Sequence, residues 1–552
     1  SKNSGGGNAA NATAPSANTP VNGGTLTIGQ STKYNDEFIP LVDGGLYTQN
    51  IVGFAYDGLM NINNKLQFIP SLAASWTWSA DKKTVTFHLQ PNANWSDGQP
   101  ITSDDVLFAL NYLASPAYTK DLQGQYSYIT GQLIGSNRIG KGQDTSFAQT
   151  GGFKTIDSKT FSLTFKAVDA AVLYSEISTL QPVPAHILKS IPISTWATAA
   201  FDKMPTVVSG PYKFVKVNGE DSVEMTANEN YWQGAPHIKD VVWKTVSSDI
   251  APGLLANGKL DFMMNGLQPV DVSKLKAVPG VVVHTQPDMG YQYLGMKLYQ
   301  KEFQNVKVRQ AFEYAIDRKA MIQGLLKGYG QPINGPLPSI SWAAATTADG
   351  MNPYTYDPAK ANQLLDEAGW KKAPGSQWRI DPVTGKIANI PLDYPLGNTV
   401  RMASATAIQQ DLAKVGVKIT LHSPMDFNTL SKKVENDDKN MYLWLMGWGL
   451  AVDPDPRGMW DSTDAYNFPR WKDSHNDALI KQTWDASAFD TSARKAAFVK
   501  WQLYVNQQLP YIFLYQQDDI FAYNSKLHIP AQDWSPGFST GAGNVQDWWI
   551  SK

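Results

Sequence analysis

Apolar and polar residues alternate along several short stretches of the chain and recur at helical steps along others. Thr25–Gly29 alternates as a short strand. Lys83–Leu89 does so more clearly, with Val85, Phe87 and Leu89 on one face, and Trp95-Ser96-Asp97-Gly98 supplies a turn after it. Thr102 or Ser103 is placed to cap a helix, and Asp104 and Asp105 suit its positive end. Val106, Leu107, Leu110 and Leu113 then follow at helical spacing. Lys159–Lys166 alternates again, and Val207–Val217 with Ser222–Thr226 reads as a hairpin around Asn218-Gly219. Lys307–Leu326 carries the strongest helical pattern, through Val308, Ala311, Phe312, Ala315, Ile316, Ile322 and Leu326. Pro358–Ala368 and Met402–Val415 are two further helices, closed by Gly369 and Gly416. Lys439–Leu450 is an apolar, aromatic, strand-like run ending in Met446-Gly447-Trp448-Gly449. Strands and helices interspersed in this way predict an α/β fold.

Composition narrows the function classes. At 552 residues the chain is too long for one core, since single cores stop growing at about 250–300 residues. It has 47 Lys+Arg against 49 Asp+Glu, a net charge of −2, so it carries no basic field for nucleic acid or anionic lipid. It has no cysteine, which removes disulfides, thiolate metal sites and thiol nucleophiles. No run of 18 apolar residues crosses a membrane. The first 24 residues are almost all Gly, Ser, Asn, Ala, Thr and Pro, the composition of a solvated tether. The chain begins without Met, which fits a processed, exported protein with a lipid-bearing cysteine just before Ser1.

No reaction centre stands out. The seven histidines are scattered, with no pair one helical turn apart, so no metal or cofactor is expected. Gly537–Gly541 matches a nucleophile elbow at Ser539, but that arrangement needs a later histidine and none follows His528. Asp453 and Asp455 resemble the start of a calcium loop, yet Arg457 occupies a ligand position. A cell-surface hydrolase resting on Ser539 or on the Asp453/Asp455 pair is the competing class. The 18 Trp, 24 Tyr and 21 Phe point instead to large aromatic cores and an aromatic cleft for a polar organic ligand.

One series of segments carries a resemblance. It runs through Pro70–Trp76, Asn94–Pro100, Ser103–Val106, Ser209–Tyr212, Asn230–Trp232, Ala256–Asp261, Val308–Ala311, Ala315–Arg318, Tyr356–Pro358 and Ala368–Trp370. In this order the segments resemble the peptide/nickel/opine family (family 5) of extracellular solute-binding proteins, the capture subunits of ABC importers. The resemblance implies a non-enzymatic protein of a large two-lobed periplasmic-binding-protein fold (type II, cluster C-like), with an extra third domain and a hinge. The implied parts are a tether over 1–21, a discontinuous first lobe over 22–60, 205–288 and 520–552, an extra domain over 61–204, and a second lobe over 289–519. The ligand would be an oligopeptide, or an oligosaccharide as in some relatives. The partners would be the membrane permease subunits. The protein would act as a monomer on the outer cell surface or in the periplasm, meeting the membrane only through its lipid.

The same resemblance implies ligand-binding residues. In peptide-binding relatives a Gly-Trp strand pairs its backbone with the ligand, and Gly447, Trp448 and Gly449 match it, followed by Leu450. An Asp three residues after that Trp holds the ligand's amino group in several relatives; here the position is Ala451. Asp453 or Asp455 is the candidate replacement. Gly44, Leu46 and Tyr47 in the first lobe, Tyr126 and Tyr128 in the extra domain, and Phe513 and Tyr515 before the return to the first lobe are further candidates for the cleft.

Overall fold

The computed structural model describes residues 19–552. The tether expected over 1–21 lies, up to residue 18, outside the described residues. One extended sheet system organises the molecule. On one side Thr25–Gln30 pairs in parallel with Asp240–Thr245 and with Phe262–Met263, and Ser222–Ala227 and Tyr212–Asn218 follow antiparallel. On the other side Gly290–Met296 pairs antiparallel with Leu443–Gly449, and Asn389–Asp393 and Lys418–Leu421 extend the sheet in parallel. The strand Tyr511–Asn524 joins the two sides. Its first part pairs with Gly290–Met296 and Gly330–Pro332, and its last part with Val281–Pro287 and Phe262–Met263. The other crossing runs from Val281–Pro287 through Asp288 and Met289 into Gly290–Met296. Two extended segments therefore connect two lobes, a geometry that permits hinge bending.

The hydrophobic cores follow this division. Leu294, Phe312, Leu365, Ile408 and Leu412 pack on one face of the second lobe's sheet, and Tyr293, Trp444, Phe498, Trp501 and Phe513 on the other. The first lobe shares one continuous core with a domain containing its own four-stranded antiparallel sheet, Ala73–Trp78, Thr84–Leu89, Thr160–Thr164 and Phe153–Asp157. Tyr112 and Tyr118 of that inserted domain donate their hydroxyls to Pro40 and Leu41 carbonyls at 2.6 and 2.7 Å.

Local sequence explains the elements. Helix Ser103–Ala114 starts in a capping box, with Asp105 reaching back to the Thr102 amide at 2.9 Å. Asp105 also accepts from Trp95 Nε1 at 3.0 Å and the Ala185 amide at 3.0 Å, so one carboxylate ties turn, helix and a distant segment. The hairpin forms as Tyr212–Asn218 and Ser222–Ala227, starting later than Val207. Ser209 and Gly210 instead bond the Ala55 carbonyl, and a Cβ on Gly210 would strike that backbone. The pattern over 307–326 folds as two helices, Val306–Ala315 and Arg318–Leu325. Ile316 is extended between them, and Asp317 caps the second helix by accepting from the Ala320 amide at 3.0 Å. A capping residue inside an apolar repeat ends one helix and starts another without disturbing the repeat.

Candidate ligand-binding cleft

Two cavities open along the boundary between the lobes and meet at Phe538 and Ser539, which line both. One, of about 420 Å³, is lined by Tyr128, Tyr174 and Ser178 of the inserted domain and by Ala451, Val452 and Asp453 of the second lobe. The other, of about 380 Å³, lies at the hinge against Leu46, Tyr47, Asp288, Asp518 and Asp519.

The strand Leu443–Gly449 leads into the larger cavity. Gly290–Met296 pairs with it over its full length, but Asn389–Asp393 reaches it only at Leu443 and Trp444. The outer edge from Leu445 to Gly449 therefore carries no neighbouring strand among the described residues. Trp448 is anchored beneath this edge: its ring stacks on Phe468 at 5.2 Å, and its Nε1 donates to the Tyr511 hydroxyl at 3.4 Å. Gly447 leaves room for the Gln292 amide, whose oxygen accepts from Arg401 Nε at 2.9 Å. A Cβ on Gly449 would meet nothing within 4 Å. The segment thus presents backbone, with open space beside it. Leu450 closes the strand by donating its amide to the Met289 carbonyl at 2.7 Å, and the exposed Ala451 follows.

Neither aspartate expected to replace the amine-holding group is free. Asp453 is buried and takes both Nη atoms of Arg494 at 2.8 and 3.0 Å. Burial pushes its carboxyl up, and Arg494 opposes that shift. Asp455 holds Arg457, whose two Nη atoms also reach Asp169 of the inserted domain at 2.8 and 3.0 Å. Each carboxylate is thus matched to a guanidinium, while Asp453 also lines the larger cavity.

The other candidates divide. Leu46 and Tyr47 line the hinge cavity, and Tyr128 lines the larger one. Tyr126 is half-buried beside it, its ring 6.2 Å from that of Tyr128. Gly44 packs on Gln125 and lines neither cavity. Phe513 and Tyr515 are corrections. Both are buried in the cores flanking the second lobe's sheet, and Tyr515 places its hydroxyl 3.1 Å from Ser404 Oγ. Ser539 donates Oγ to Asn50 Oδ1 at 2.6 Å, with no histidine among its hydrogen-bond partners.

Sequence reasoning missed Phe538 and the hinge carboxylates. Asp518 and Asp519 lie on one crossing strand and Asp288 on the other, where Gln286 pairs with Asp519 and Pro287 with Asp518. Burial, with Asp288 and Asp518 nearby, pushes Asp519 up to about 7. No group of three or more metal-ligating side chains occurs among the described residues.

A family model for bacterial extracellular solute-binding proteins, family 5, matches residues 67–469. The chain belongs to this family. Among its family 5 relatives is the oligopeptide-binding protein AppA of Bacillus subtilis, 25% identical over 551 residues, 97% of this chain and 93% of that protein. The structure of AppA in complex with a nonapeptide aligns with a TM-score of 0.66 at 23% identity, covering 97% of this chain and 100% of that one. The heme-binding protein A of Haemophilus influenzae is 27% identical over 462 residues, 80% of this chain and 78% of that protein. The oligopeptide-binding protein OppA of Lactococcus lactis is 25% identical over 487 residues, 84% and 80% respectively.

Proposed function

We propose that this family 5 protein captures oligopeptides between its lobes and delivers them to the permease of an ABC importer. The observation that carries this reading is the unpaired edge of Leu445–Gly449, which is followed in the chain by Ala451, Val452 and Asp453 in the wall of the larger cavity. An extended peptide adding to that edge would gain main-chain hydrogen bonds independent of its side chains. The named ligands of AppA and OppA support the same class. Closure of the lobes about the two crossing segments would enclose the ligand, and no bond is made or broken in the cycle.

The test is calorimetry and native mass spectrometry with a peptide library, run beside a library of oligosaccharides. Peptide complexes in one-to-one ratio are expected. Binding of oligosaccharides alone would replace the ligand class while keeping the capture role.

A further inference from the structure

A third, smaller cavity of about 220 Å³ lies where the inserted domain meets the second lobe. Phe68, Trp78 and Tyr174 wall it from the inserted domain, and Trp342 and Phe489 from the second lobe. Phe68 and Tyr174 stack at 5.4 Å on one side. Trp78 and Phe489 meet edge to face at 5.0 Å across the lobe boundary. The Arg494 guanidinium lies 5.8 Å from the rings of both Tyr174 and Trp342. Its charge is already matched by Asp453, so this cavity holds aromatic faces and a neutralised ion pair.

Size, shape and position agree on one occupant. An apolar cavity of about 150 Å³ is enough to hold benzene, so this volume takes a phenyl or indole ring. Flat ring walls and an adjacent guanidinium favour an aromatic guest over a charged one, since a ring gains edge and face contacts and needs no counter-ion. Phe68, Tyr174 and Asp453 also line the larger cavity, whose wall includes Ala451 and Val452 just after the Gly-Trp strand. A ligand lying in that cavity can place one side chain here.

We propose that this aromatic cavity is a side-chain subsite that selects one aromatic residue of the bound peptide. The proposal rests on the peptide reading above. Because its walls come from both sides of the cleft, the subsite is complete only with the lobes together. Filling it therefore favours closure, and side-chain identity is read during closure rather than before it.

The experiment is calorimetry on the whole protein with alanine-frame peptides in which one Phe, Leu, Lys or Glu is moved through every position. One position is expected at which Phe binds about tenfold or more tightly than Ala, the worth of burying a phenyl ring, with Lys and Glu below Ala. Thr491 is exposed, begins helix Thr491–Gln508 and lines the cavity. Thr491→Phe should fill the space and remove the difference in affinity between the Phe peptide and the Ala peptide. Trp78→Ala should also flatten the preference. Peptides that all bind with no preferred position for Phe would overturn the subsite and leave the capture role standing. A preference that survives in both variants would also overturn it. No binding by any peptide would overturn the peptide reading and the subsite with it.

Discussion

Arg457 grips Asp169 across the boundary between the second lobe and the inserted domain, through two hydrogen bonds of 2.8 and 3.0 Å. The same guanidinium holds Asp455 of its own loop and lies 4.4 Å from the Trp484 ring, so its direction is set before it meets Asp169. Beside it the Ala170 amide donates to the Trp484 carbonyl at 2.7 Å. These contacts form a clasp between the second lobe and the inserted domain, separate from the two crossing segments.

Removing the clasp should loosen closure with little effect on folding. Asp169→Ala deletes two charge-assisted hydrogen bonds that are partly open to solvent, worth about 1–2 kcal/mol together. The expected result is a larger radius of gyration in small-angle scattering of the ligand-free protein and peptide affinity about tenfold weaker. An unchanged scattering profile would show that other contacts hold the lobes.

Asp453 should matter for stability rather than for reading the ligand's amino end. Its side chain and that of Arg494 are 3% and 5% exposed, so Asp453→Ala leaves a buried guanidinium unmatched. A loss of about 3–5 kcal/mol is expected in denaturant titration. The ratio of affinities for free and N-acetylated forms of one peptide should stay within about twofold of the original protein's. A collapsed ratio would return Asp453 to the ligand.

Gly449→Val tests the backbone edge directly. The new side chain enters open space, so the melting temperature should not move. A peptide lying on that edge would be displaced, and affinity should fall by about tenfold or more. Equal affinity in the two proteins would place the ligand elsewhere.

Acidification should stabilise the protein between about pH 7 and pH 4. Asp202 is fully buried, and burial raises its carboxyl from 3.8 to about 7; one of its oxygens has no partner. Asp519 is raised likewise. Across that window the folded state keeps protons that the unfolded chain has released. Stability is therefore full below the unfolded value near 4, is lost as pH rises towards 7, and stays level above it. Asp202→Asn should raise the melting temperature by several degrees at pH 8 and by less at pH 4.5, as thermal scans at the two values would show.

What could be read in the sequence depended on how far apart the interacting residues lie. The alternation of Val85, Phe87 and Leu89 marks a strand packed on one face, and Thr84–Leu89 forms there. The Gly-Trp segment stood out in the sequence only through its resemblance to the Gly-Trp strand of peptide-binding relatives, and the strand Leu443–Gly449 forms there. The pairing of Asp453 was not legible, because its partner, Arg494, is 41 residues away on another element. Phe513 and Tyr515 misled because their strand is covered on both faces, which removes the alternation that would tell inside from outside. The aromatic cavity was invisible, since Trp78 and Phe489 meet only through the packing of the inserted domain against the second lobe.

The strand Tyr511–Asn524 has a consequence for biogenesis. Both lobes need it to complete their sheets, yet it follows some five hundred residues of chain. A ribosome reaches it only after nearly everything else has been made. Until then Gly290–Met296 and Val281–Pro287 lack the strand that covers one of their edges, and pairings over such long sequence separations form slowly. A nascent chain that cannot finish either lobe early therefore keeps those strand edges exposed until its last residues emerge.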